Sequence, residues 1–76
     1  MLDRVREIIA DITKNPVGEI TESSSSKDVD GWDSIAQINI IVTIEMDFGA
    51  SFSAEEMHSL NSVRKILQAL RASVAA

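Results

Sequence analysis

Seventy-six residues with one proline and three glycines form a single domain over residues 1–76, near the lower size limit for a fold held without disulfides or metal. Hydrophobic residues at 45% and charged residues at 25% place the chain among globular rather than disordered sequences. The absence of cysteine removes a disulfide framework, a thiolate zinc site and a cysteine nucleophile together, and a net charge of −5 argues against nucleic acid or anionic membrane as partner.

No apolar run reaches the length of a membrane span, and Met1-Leu2-Asp3-Arg4 lacks the apolar stretch of a signal peptide, so a cytoplasmic monomer is the expectation. A fold this small has little interior for a preorganised enzyme site. Composition therefore leans toward a binding or carrier module whose partners have basic surfaces.

From Leu2 to Lys14 the apolar residues Leu2, Val5, Ile8, Ile9 and Ile12 fill one stripe at helical spacing, with Asp3, Arg4, Glu7 and Asp11 outside it. Asn15-Pro16 ends this helix, because proline disfavours helical geometry in the residue before it. A long loop follows, with Gly18, the serine run Ser23 to Ser26 and Gly31, and only Val17, Ile20, Val29 and Trp32 as apolar anchors. Such a loop in a small domain is functional or flexible, which draws attention to its far end.

The second helix runs from about Ser34 to Phe48 and stops at Gly49. Its pattern is apolar on two sides: Ile40, Ile41, Ile44 and Phe48 form one stripe, interrupted by Gln37, and Ile35, Ile38, Val42 and Met46 form another. Periodicity alone does not decide which stripe meets the core and which meets a partner. Ser53-Ala54-Glu55-Glu56 then forms a capping box and opens a short third helix ending near Leu60-Asn61. A last helix from about Ser62 carries Val63, Ile66, Leu67, Leu70 and Val74 on one stripe, with Arg64, Lys65 and Arg71 on a solvated face. The fold class is all-α, a small four-helix bundle with three longer helices and one short third helix.

The second helix is approached through Asp28, Asp30 and Asp33, which raises the question of a calcium loop. Counting from Asp28, glycine falls fourth rather than sixth and the twelfth residue is Asn39 rather than glutamate, so the pattern fails and no metal site is expected. Asp33 is placed as an N-cap, which puts Ser34 at the first helical position. Orphan backbone amides and the helix dipole favour an anion there, so a phosphodiester on the Ser34 hydroxyl would be electrostatically welcome. The bland alternative is a first-turn serine and nothing more. A nucleophilic role would need a base and an orienting group, and the only histidine is His58 on the short helix. No nucleophile elbow surrounds Ser34, so hydrolysis ranks last.

Gly31-Trp32-Asp33-Ser34-Ile35 resembles the Asp-Ser-Leu attachment motif of acyl carrier proteins, with isoleucine for leucine. The run from Asp33 to Gly49 is similar to that family's second helix, Phe52 to Glu56 to the start of its third, and Leu60 to Val63 to the junction into its fourth. The resemblance implies a 4'-phosphopantetheine arm, moved from coenzyme A to the Ser34 oxygen by a phosphopantetheinyl transferase, with magnesium belonging to that enzyme. Acyl cargo would ride as a thioester on the arm and be presented to acyl-loading and acyl-transfer enzymes of fatty acid, polyketide or another specialised pathway. The chain itself would catalyse nothing. The resemblance also turns Ile40, Ile41, Ile44 and Phe48 toward the core and leaves Trp32, Ile35, Ile38, Val42 and Met46 for docking. Ala36, Asn39 and Met46 depart from the acidic second helix usual in fatty-acid carriers, and Trp32 is more reminiscent of specialised pathways. The alternatives are a peptidyl carrier with an aminoacyl cargo, and a helical interaction domain whose Ser34 is never modified.

Overall fold

The computed structural model describes residues 1–75, and among them the regular structure is entirely helical. Four α-helices follow in order: α1 over Leu2–Thr13, α2 over Ser34–Phe48, α3 over Ala54–Ser59 and α4 over Val63–Ala75. The side chain of Val74, expected on the apolar stripe of the last helix, lies outside the described residues. Helix α1 packs against α2 and α4, and α2 against α3. The centre is aliphatic: Val5, Ile9, Ile20, Ile40, Ile41, Ile44, Val63, Ile66 and Leu70 are all fully buried.

The terminus of α1 sets up the rest of the chain. Lys14 caps the helix in the left-handed region at φ 61°, and its amide returns to the Ala10 carbonyl. Proline at position 16 keeps Asn15 from continuing the helix, so the Asn15 side chain is free to act as a tie. Its Nδ2 donates to Thr13 Oγ1 at 2.9 Å and to the Asp30 carbonyl at 2.8 Å, joining the helix end to the far end of the loop.

That loop is more ordered than its composition indicates. It contains a short 3₁₀ turn over Val17–Glu19, and the Arg6 guanidinium of α1 donates to the carbonyls of Ile20 and Val17. The serine run is not a loose tether either. Ser26 donates its amide to the Asn61 carbonyl at 2.9 Å, and Val63 donates to Ser24 at 3.0 Å, forming an isolated bridge between Ser25 and Ser62. Of the four expected anchors, Ile20 and Trp32 are buried and Val29 packs against the core, whereas Val17 is exposed.

The two stripes of α2 separate as expected. Ile40, Ile41 and Ile44 are buried and Phe48 packs against the core, while Ile35, Val42 and Met46 are exposed and Ile38 is half-buried. Gly49 ends the helix at φ 67°, a conformation that only glycine adopts without cost. The capping box of α3 is fully formed: Ser53 Oγ accepts from the Glu56 amide at 3.1 Å, and Glu56 Oε1 accepts from the Ser53 amide at 3.0 Å.

Trp32 departs from the expected placement. It is not at a docking surface but in the core, 4% exposed, with its indole Nε1 donating to Gln37 Oε1 at 2.7 Å. The physical reason is its size and its partner: burying a large aromatic ring is favourable once its N–H finds an acceptor, and Gln37 supplies one five residues on.

Candidate functional site

Three local features place Ser34. Gly31 takes φ 85° where the loop passes the end of α1, and a Cβ there would stand 2.9 Å from the Thr13 carbonyl oxygen. Only glycine lets the two backbones approach this closely. Trp32 then plugs the core, which fixes the direction in which the chain leaves the loop. Asp33 finally caps α2: its Oδ1 accepts from the Ala36 amide at 2.8 Å, and its carbonyl accepts from the Gln37 amide at 2.8 Å.

Ser34 is therefore the first residue of α2 and is exposed. Asp33 uses the amides of Ala36 and Gln37, so the amides of Ser34 and Ile35 are left as the orphan donors of the first turn. With the helix dipole they favour negative charge beside the serine hydroxyl. A depression of about 260 Å³ opens next to it, lined by Ser26, Trp32, Asp33, Ser34, Gln37, His58 and Asn61. An exposed primary hydroxyl, an anion-favouring helix start and an adjoining polar groove fit a phosphodiester-linked arm.

His58 lines the same depression, but it forms no hydrogen bond with Ser34 among the described residues, and no carboxylate orients its ring there. A nucleophile, base and orienter are thus not assembled. Of the loop's acidic residues, Asp28 accepts through Oδ2 from Ser25 Oγ at 2.9 Å, and among the described residues no group of three or more His, Cys, Asp or Glu side chains is gathered.

Gln37 is the site residue that the sequence pattern conceals. It interrupts an apolar stripe, where it looks like an imperfection, yet it is 6% exposed with both amide hydrogens donated and its oxygen accepting one bond. The signal was present in its position: a polar residue in a core stripe, one turn after Ser34, has to find buried partners.

The fold is a small helical bundle with an exposed serine at the start of its second helix. The sequence profile described as the phosphopantetheine attachment site matches residues 3–70. The acyl carrier protein of Thermosynechococcus vestitus is 30% identical over 77 residues, an alignment spanning 100% of this chain and 94% of that relative. The chain belongs to the phosphopantetheine-attachment family, among carriers of the acyl carrier protein type. The group this family attaches is phosphopantetheine, and members of the type are generally non-catalytic. None of the described helices is long and apolar enough to cross a membrane.

Proposed function

We propose that Ser34 Oγ is the attachment point of the phosphopantetheine arm and that the chain carries acyl groups between partner enzymes without catalysing their reactions. When bound, the group supplies the thiol that holds an acyl cargo as a thioester. The protein's own part is to present the Ser34 hydroxyl, to offset the phosphodiester charge with the amides at the start of α2, and to offer a surface that partners read.

The observation that carries this reading is the position of Ser34: exposed, first in α2, capped by Asp33 and inside the region that matches the attachment-site family. Asp33 acts as a positioning residue through its bond to the Ala36 amide. The partner face runs along Ile35, Ile38, Val42 and Met46, of which Ile35 and Met46 are 75% and 81% exposed. Trp32 is buried in the core and takes no part in that face.

The carboxylates near the end of α2 favour a dedicated partner in a polyketide or other specialised acyl pathway over a general fatty-acid one. Glu45 Oε2 accepts from the Phe52 amide at 2.8 Å, and Asp47 is paired with Arg4 at 2.9 Å. Both serve the fold, so α2 presents mainly apolar groups, and the remaining acidity on this side lies before it at Asp28, Asp30 and the capping Asp33. The same loop carboxylates suit the basic surface of a phosphopantetheinyl transferase, and the chain acts as a monomer in the cytoplasm.

Incubating the protein with coenzyme A and a broad-specificity phosphopantetheinyl transferase, followed by intact mass measurement, tests the assignment. The expected result is a mass gain of one phosphopantetheine that Ser34→Ala abolishes. No gain under conditions that load a control carrier would leave an unmodified helical interaction domain as the better reading.

A further inference from the structure

Ser34 and Gln37 lie one turn apart on α2, and between them the depression beside the serine meets the seam between α2 and α3. Gln37 closes that seam. Its Nε2 donates to the carbonyls of Met57 at 3.0 Å and Leu60 at 2.8 Å, and its Oε1 accepts from the Trp32 indole at 2.7 Å. The orientation of the amide is fixed by its neighbours: an indole N–H only donates, so the oxygen must face it, which leaves the two amide hydrogens for the two carbonyls. One turn further along, Ile40 and Ile41 are fully buried. Around the opening, Ser26, Asp33, His58 and Asn61 add further polar groups.

An alkyl chain tethered at Ser34 and turning inward would have to part Gln37 from Met57, Leu60 and Trp32. That would leave two carbonyls, an amide and an indole N–H without partners in a low-dielectric interior, where unmade hydrogen bonds are most costly. A chain that stayed in the depression would instead lie against polar side chains.

Building on attachment at Ser34, we infer that Gln37, braced by Trp32, is a specificity-determining residue that bars acyl cargo from the helical interior. The carrier holds its cargo outside the bundle. It is suited to short or polar acyl groups, which lose little by remaining in water, rather than to long alkyl chains that need shelter.

The test loads the whole protein from butanoyl-, octanoyl- and dodecanoyl-coenzyme A with a broad-specificity transferase, confirming each product by intact mass. Tm and the fluorescence of Trp32, the single tryptophan, are then compared across the series. The expected Tm values agree to within about 2 °C and the emission is unchanged, whereas burying the extra methylenes of the longest chain would raise Tm by more than about 10 °C. A Tm that climbs with chain length in the natural protein overturns the inference. In Gln37→Val, which removes the three bonds but keeps an apolar filler, Tm is expected to climb; a flat response there would show that Gln37 is not the barrier. Failure to load at all would remove the Ser34 assignment on which the inference rests, and is distinguished from the other outcomes by mass alone.

Discussion

Gly31 has no side chain to offer, yet it decides where Ser34 stands. Its φ of 85° lies in the region that side-chain-bearing residues avoid, and the Thr13 carbonyl occupies the space a Cβ would need. The carbonyl belongs to the last turn of α1 and cannot swing aside as a flexible side chain would. Gly31→Ala therefore meets two costs at once, together about 2 kcal/mol or more. In a domain of this size that corresponds to a fall in Tm of about 10 °C or more, measurable by circular dichroism. A fall under two or three degrees, on the order of what a surface substitution produces, would mean that the approach to Thr13 relaxes freely. Because Asn15 ties the same loop end through the Asp30 carbonyl at 2.8 Å, disturbing Gly31 should also slow loading at Ser34.

At the scale of elements, α2 has one face to spare. Ile41 is fully buried, whereas Ile38 is half-buried on the opposite side among Ile35, Val42 and Met46. Ile41→Asp would remove a core side chain worth about 2–5 kcal/mol and leave an unpaired charge behind, enough to unfold a small domain. Ile38→Asp should keep the helical spectrum and impair transfer to partner enzymes. If both variants unfold alike, the outer stripe is structural and the docking assignment fails. The two stripes were visible in the sequence because an apolar residue every three or four positions leaves little ambiguity about a helix, and the caps at Asp33, Gly49 and Ser53 mark their own termini. Gln37 stood out as a polar residue in a core stripe, but its role was not legible, because two of its three partners lie 20 and 23 residues away. Trp32 was misplaced for the same reason: an aromatic residue beside an exposed serine suggests a surface contact until its acceptor is known. The serine run left the loop open as functional or flexible, because composition carries no information about the bridge that Ser25 makes to Ser62.

For the molecule as a whole, one exposed charge pair spans the ends of two helices. Arg4, in the first turn of α1, meets Asp47, in the last turn of α2, through two parallel bonds of 2.9 Å each. Each charge is poorly placed for its own helix dipole, a cation near an N-terminus and an anion near a C-terminus, so each is better matched by the other than by its own element. The hydrogen bonds from Arg4, with its positive charge, hold the Asp47 carboxyl below the usual aspartate range, against a smaller opposing effect of burial. A group whose folded pKa is depressed contributes stability above its unfolded value, near 3.9 for aspartate, and loses that contribution as pH falls through the lower folded value. The natural protein is therefore expected to outlast Asp47→Asn in urea at neutral pH. The difference should shrink as pH drops below the ordinary aspartate range and vanish once Asp47 is protonated in both states. Because the pair is exposed, added salt should narrow the neutral-pH difference as well. Urea midpoints that differ equally at neutral and strongly acidic pH would show that Asp47 acts through packing or helix geometry instead of through its charge.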